Sequence, residues 1–178
     1  MGPVKHSATY SGRVPRPRPD TPAPGQESVW DYPRPPRVEA VPARVTIRLG
    51  GELIADTRDA VRVLETSHPP VYYLPMADFV SGALADAAGA SFCEFKGTAR
   101  YLDVVGGGVV RAAAAWNYPQ PSPGFAALRD RVAVYAGTMD ECTVGGEVVT
   151  PQPGGFYGGW ITAAVVGPFK GAPGSMGW

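Results

Sequence analysis

RVTIRLGG, residues 44–51, alternates apolar and polar side chains and ends in two glycines. Alternation with period two is typical of a β-strand that is buried on one face and solvated on the other. A Gly-Gly pair supplies the positive φ angles of a tight two-residue hairpin turn. The next residues, 52–56, are again strand-like. This stretch therefore predicts an antiparallel hairpin.

The same design recurs along the chain, with glycine turns at residues 106–108 and 145–146. Further short strands are predicted at residues 60–65, 71–74, 98–105, 109–116, 131–135, 139–144 and 147–149. Helical pattern is confined to residues 76–87 and 123–130, each bounded by Gly or Pro. The predicted fold is all-β with minor short helices, built as a single curled antiparallel sheet that hides its edges.

Composition restricts the classes of function. Basic and acidic residues are equally numerous at 16 each, so no net charge attracts nucleic acid or an acidic membrane. No stretch approaches the roughly 20 apolar residues that a membrane span needs, and the first residues lack the apolar core of a secretory signal. We therefore expect a cytoplasmic protein that binds neither nucleic acid nor membrane.

Composition divides the chain into three parts. Residues 1–37 form a Pro/Arg-rich arm, in which prolines favour extended chain. Within the arm, Trp30 and Tyr32 are large enough to dock it on the domain. The predicted β domain spans residues 38–137. A Gly- and aromatic-rich extension, residues 138–178, is expected to pack on that domain, where it would cover the site or form a subunit contact.

The segment ETSHPPVYY, residues 65–73, is the first candidate site. A proline restricts the residue before it to extended conformations, so His68 stands on a stiff backbone. Imidazole suits acid–base chemistry near neutral pH, and Glu65 is placed to orient it or share its proton. Tyr72 and Tyr73 are predicted to line a pocket. The alternative for His68 is a structural hydrogen bond near a turn.

A second candidate is CEFKGTARY, residues 93–101. If it is a strand, Lys96, Thr98 and Arg100 share one face, where two cations and a hydroxyl suit a carboxylate or phosphate. Tyr101 falls on the opposite face, and Cys93 is either a nucleophile close to His68 or a small buried residue. For Arg100 a solvated strand face is the competing interpretation.

A third aromatic pair, Trp116 and Tyr118, lies on one face if its strand continues, which is suitable for walling a pocket or packing in a core. Standard nucleotide-binding loops and hydrolase motifs do not occur in the sequence. A metal site of His68, Glu65 and either Glu94 or Cys93 is an alternative, but no third ligand can be assigned, so no metal is predicted. The two cysteines, Cys93 and Cys142, form no CxxC pair.

The order of RVLETSHPPVYYLP, CEFKGTARYLDV and AAAAWNYPQP resembles the DUF427 family over residues 37–137. The C-terminal PQPGGFYGGWIT is similar to an extension of actinobacterial members. The resemblance implies a β-tent fold of the Mss4-like kind. Related folds bind zinc through paired cysteines, but this sequence has no such pair, so a zinc site is not expected. A nucleotidyltransferase-like label also attaches to the family, although the motif segments show no acidic pair suited to two-metal chemistry.

Two functions remain open. An enzyme would use His68 as acid or base on a small polar or aromatic metabolite, with Glu65 orienting it and Lys96 holding an anionic group. A non-catalytic binding or interaction module would use the same groups without turnover. In the second case the arm and the C-terminal extension would be partner contacts. A small-molecule ligand is the expected partner. No cofactor is identified, and a homo-oligomer is left open.

Overall fold

A computed structural model describes residues 16–178; the basic residues Lys5 and Arg13 of the predicted arm lie outside this range. Residues 16–178 form fifteen strands and four short 3-10 helices. The strands are β1 (Glu27–Ser28), β2 (Arg37–Val41), β3 (Val45–Leu49), β4 (Glu52–Thr57), β5 (Ala60–Leu64), β6 (Val71–Pro75), β7 (Leu84–Cys93), β8 (Gly97–Gly106), β9 (Val109–Asn117), β10 (Arg131–Val134), β11 (Glu141–Val144), β12 (Glu147–Val148), β13 (Thr150–Pro151), β14 (Trp160–Ile161) and β15 (Val165–Val166). The helices are Val29–Asp31, Met76–Asp78, Pro123–Leu128 and Ala136–Thr138. In this part of the chain no helix is long and apolar enough to cross a membrane.

The all-β class with minor short helices is confirmed, but the strands form more than the single sheet that was predicted. Seven antiparallel strands make the main sheet, in the order β2-β5-β6-β10-β9-β8-β7. A second antiparallel sheet has the order β12-β11-β3-β4. Two-stranded ladders join β1 to β15 and β13 to β14. The hairpin of residues 44–56 belongs to the second sheet, where β3 pairs with both β4 and β11.

The central strands of the main sheet, β6 and β10, are buried on both faces. Alternate side chains point to opposite faces of a strand, so Leu74 on β6 and Val132 on β10 join Ile47 of the second sheet in the largest apolar cluster. Their sequence neighbours, Tyr73 and Ala133, belong to a second cluster on the opposite face. The first face therefore packs against the second sheet. The other face is where the cavity described below is built.

Residues 76–87 do not form the predicted helix. Only Met76–Asp78 is helical, and β7 begins at Leu84 as the last strand of the main sheet. The alanines of this segment favour a helix in isolation, but pairing of β7 with β8 prevails over intrinsic propensity. The ladder is interrupted between Asp86 and Ala90, where Gly89 adopts a φ of 100° that few other residues tolerate.

The segment before β2 is held to the body of the protein by a charged cluster. The guanidinium of Arg62 on β5 donates to Glu27 at 2.9 and 3.2 Å and to Glu39 at 2.9 Å. Tyr32 also donates to Glu27, at 2.7 Å. Burial alone would raise the pKa of both carboxyls, but hydrogen bonds and the charge of Arg62 lower it overall. Arg62 thus links three segments of the chain.

Arg62→Lys is expected to lower the free energy of unfolding by about 1 kcal/mol, because an ammonium cannot reproduce the planar fork that bridges two carboxylates. The effect stays modest since the Glu27 side chain is 43% exposed and its charge is screened. Urea unfolding measures it. Arg44→Lys, which alters a more exposed ion pair with Asp56, is the matched control and should leave the midpoint nearly unchanged. Equal losses in both variants would contradict the role given to Arg62.

Candidate functional site

A cavity of about 690 Å³ opens on the face of the main sheet that points away from the second sheet. Most of the residues predicted to form a site lie in its wall. These are Glu65, His68, Tyr73, Cys93, Lys96, Tyr101, Trp116 and Tyr118. The structure therefore brings the three separate sequence motifs together at one place.

His68 enters the cavity wall from a constrained turn between β5 and β6. Its N–H donates to the carbonyl of Glu65 at 3.0 Å, which closes a four-residue turn. Ser67, in the third position of that turn, has a φ of 70°, where glycine is the usual occupant. The turn is also held from outside, because Ser67 N–H donates to Val29 and Ser67 C=O accepts from Lys170 N–H. The imidazole is thus fixed by both chain stiffness and tertiary hydrogen bonds.

The tautomer of His68 follows from its hydrogen-bond partner, Gln152. The Gln152 oxygen accepts from the N–H of Gly159 at 3.0 Å, and its NH₂ group donates to the carbonyl of Lys170 at 2.8 Å. A peptide N–H only donates and a carbonyl only accepts, so the amide has one allowed orientation. Its second N–H then faces Nδ1 of His68 at 3.1 Å. Nδ1 must accept, which leaves the proton of a neutral imidazole on Nε2.

The surroundings of His68 oppose its protonation. Burial lowers its pKa to about 3, and nearby Lys170, Arg34 and Lys96 contribute in the same direction by repulsion. The residue is 8% exposed. His68 is therefore a neutral ring at physiological pH, with an Nε2–H that makes no hydrogen bond to residues 16–178.

An aromatic wall covers the sheet side of the cavity. Tyr73 lies on β6 and Trp116 on β9, the two strands that flank β10. Their ring centroids are 6.3 Å apart, and the indole N–H donates to the Tyr73 oxygen at 3.2 Å. Tyr118 continues this wall one position beyond β9. Tyr101 pairs with Trp116 across β8 and β9. Burial raises the pKa of Tyr73 well above its usual range, so its phenol stays protonated.

Within residues 16–178, two of the three cations in the cavity wall have a partner for their charged group, and the third does not. Arg34 forms an ion pair with Glu65 at 3.2 Å. Lys170 donates to the main-chain oxygen of Trp178 at 2.8 Å and lies 5.7 Å from the ring centre of Tyr157. The ammonium of Lys96 makes no hydrogen bond or ion pair within the described range, although its main-chain oxygen accepts from Ser122 N–H, and Glu94 beside it is exposed. Lys96 is thus the cation most available to a ligand.

Lys96 lies in the cavity wall because of its place in a turn, and not because it belongs to the predicted strand. It lies in the turn of residues 94–96 between β7 and β8, before β8 begins at Gly97. Thr98 and Arg100 do follow the alternation of β8, and their side chains are exposed on the face opposite to Ala99 and Tyr101. The expectation that they share a binding face with Lys96 is therefore not met.

Tyr72 likewise lies away from the cavity. It is adjacent to Tyr73 on β6 and so points to the other face of the sheet, where it stacks on Trp160 with ring centroids 5.1 Å apart. There it also lines a second, smaller cavity of about 330 Å³.

Among the cavity residues that were not predicted site residues, several come from segments on either side of the predicted β domain. They are Arg34, Gln152, Phe156, Tyr157 and Lys170. The loop of residues 152–159 connects the paired strands β13 and β14 and lies over the cavity. Tyr157 packs edge-on against His68, with ring centroids 4.6 Å apart. The density of glycines around aromatics was the only sequence signal that this loop covers the site.

Cys93 is half-buried in the cavity wall, whereas Cys142 is buried in the core. Both are free thiols. Within residues 16–178, no group of three or more His, Cys, Asp or Glu residues is arranged to hold a metal ion.

Gly158→Ala should displace the loop, because a Cβ at this position would overlap the indole of Trp116. Overpacking of this kind typically costs about 1–3 kcal/mol. We expect a lower urea midpoint together with faster alkylation of Cys93 as the cavity opens. Gly124→Ala is the control, since nothing lies within 4 Å of a Cβ there, and it should change neither quantity. Unchanged alkylation in the Gly158 variant would show that the loop does not close the cavity.

The comparison with known families agrees with the motifs that build this site. No curated protein shows significant sequence similarity to the chain. Residues 37–145 match the model of a family described as a domain of unknown function, DUF427. That range includes His68, Lys96 and Trp116 but not Gln152 or Lys170. Because the match spans more than half of the 178 residues, the chain belongs to the DUF427 family.

Proposed function

We propose that this protein binds a small aromatic metabolite in the 690 Å³ cavity and that His68 donates a hydrogen bond to it from Nε2. The observation that carries the proposal is the fixed orientation of Gln152, which leaves one imidazole N–H unpaired beside an aromatic wall. Ligand sites are typically concave and mostly apolar, with a few polar groups that fix the ligand's orientation. This cavity has each of those features.

The size and lining of the cavity favour a compact planar ligand. Pockets for small molecules usually measure about 300–1,000 Å³. The rings of Tyr73, Tyr101 and Trp116 offer flat surfaces on which another ring can stack or pack edge-on. A polar group on the ligand would then meet His68 and Lys96.

A donor role suits His68 better than the acid–base role expected from its sequence. A group with a pKa of about 3 is almost entirely unprotonated at neutral pH and is a weak base. Its Nδ1 is already occupied by Gln152. A neutral imidazole can still polarise a carbonyl or hold a carboxylate through Nε2–H. We therefore favour binding over catalysis by proton transfer.

Nucleotidyl transfer, the activity suggested by the family's label, is not favoured by the cavity's charged groups. Two-metal chemistry needs neighbouring carboxylates that are available to the ions. Glu65 is engaged by Arg34, and Glu94 is the one other carboxylate in the described cavity wall. The proposal is accordingly restricted to binding.

Cys93 offers a direct test, because its thiol lies in the cavity wall and Cys142 is 2% exposed. Alkylation of Cys93 by iodoacetamide would be followed by mass spectrometry with benzoate, benzamide, benzyl alcohol and their naphthalene counterparts. We expect at least one probe to slow alkylation in a saturable manner. In His68→Phe that protection should need at least tenfold more probe, since a lost hydrogen bond in a buried site costs about 1–3 kcal/mol.

Thr98→Ala is the matched control, because Thr98 is exposed outside the cavity on the adjoining strand, and its protection curve should equal that of the wild type. Slow reaction of Cys142 reports that each variant stays folded. Failure of every probe to protect Cys93 in the wild type, or equal protection in His68→Phe, would overturn the proposal.

A further inference from the structure

We infer that the ligand is an aromatic monocarboxylate whose carboxylate lies between Lys96 and the Nε2–H of His68 and whose ring packs on the aromatic wall. This inference rests on the proposed binding function and names the chemical class of the ligand. It is carried by the distribution of charge and aromatic surface within the cavity.

Positive charge is concentrated around His68. Lys96, Lys170 and Arg34 are all close enough to the imidazole to repel its protonation, and all three line the cavity. Arg34 is balanced by Glu65 and Lys170 is engaged with a main-chain oxygen. The ammonium of Lys96, which has no partner among residues 16–178, keeps its charge free for a ligand. An anion beside it would satisfy both this ammonium and the neutral imidazole N–H.

The opposite part of the cavity has a different character. The one polar group of Trp116, its indole N–H, is already donated to the Tyr73 oxygen, so the indole offers apolar surface to a ligand. Tyr135 lies beside Trp116, with ring centroids 4.6 Å apart, and extends that surface. A molecule with an anionic head and an aromatic body matches this division between the His68 side and the sheet side.

The total charge of the wall distinguishes a carboxylate from a phosphate. Three cations, Arg34, Lys96 and Lys170, and two carboxylates, Glu65 and Glu94, line the cavity, which leaves one net positive charge. A monoanion neutralises that charge. A phosphate monoester carries between one and two negative charges at neutral pH and would leave a repulsive excess beside two glutamates.

Segments outside the family match contribute two of the three cations that the described residues place in the cavity wall. Arg34 and Lys170 lie outside residues 37–145, as does Gln152, which sets the tautomer of His68. Within the matched range, Lys96 is the single cation of the cavity wall. The positive field at His68 therefore depends on parts of this chain that the family domain does not include.

The test measures protection of Cys93 from iodoacetamide by benzoate, its neutral counterpart benzamide, and phenyl phosphate. Benzoate should bind at least tenfold tighter than benzamide and tighter than phenyl phosphate. Lys96→Gln should weaken benzoate at least tenfold and leave benzamide within twofold. Arg100→Gln removes the same charge from the same region, but its side chain is exposed outside the cavity, so it should change neither affinity by more than about twofold.

The outcomes separate this inference from the proposal on which it rests. Equal affinities for benzoate and benzamide, with His68→Phe still weakening both, would overturn the carboxylate inference and leave small-molecule binding in place. Tighter binding of phenyl phosphate would overturn the monocarboxylate in favour of a phosphate. An equal effect of Arg100→Gln would show that overall charge, not Lys96, governs affinity. Absence of protection by all three probes would count against both claims.

Discussion

The side-chain amide of Gln152 makes three hydrogen bonds that join three separate parts of the chain. It holds His68 of the β5–β6 turn, Gly159 at the end of the loop above the cavity, and the carbonyl of Lys170 in the C-terminal segment. The residue is 4% exposed, so each polar atom that lost its partner would remain buried at a cost of about 1–3 kcal/mol. The same residue therefore fixes the position of the loop of residues 152–159 and the tautomer of His68.

The cavity exists because the central strands of the main sheet have two different buried faces. Alternation along β6, β9 and β10 directs one set of apolar side chains toward the second sheet and the other set, including Tyr73 and Trp116, away from it. Among residues 16–178, the helix Pro123–Leu128, the turn after β7 and the loop of residues 152–159 cover parts of the second face, and the cavity lies between them. The loop lies close to the wall at Gly158, where the indole of Trp116 leaves no room for a side chain. Space for a ligand remains between the wall and His68.

Local patterns predicted the strands and much of the aromatic wall. Alternating residues and glycine turns are sufficient to place β3, β4, β8 and β9, and they bring Tyr73, Tyr101 and Trp116 to one cavity. Strand alternation also explains why Tyr72, Thr98 and Arg100 lie elsewhere. The sequence could not reveal that β7 is a strand, because its alanines are paired only through tertiary contact with β8. Nor could it reveal Gln152 and Lys170, which approach His68 from more than 80 residues away.

The central claim is that Gln152 holds His68 as a neutral ring with its proton on Nε2. Long-range ¹H–¹⁵N NMR of the imidazole, in a His6→Gln background that leaves one histidine, tests it most directly. We predict an unprotonated Nδ1 and a protonated Nε2, unchanged from pH 8 to pH 5, because the folded-state pKa of about 3 lies well below this range. Gln152→Leu should abolish the preference for one tautomer. Titration of His68 near its ordinary pKa of about 6.5, or a proton on Nδ1 in the wild type, would contradict the account.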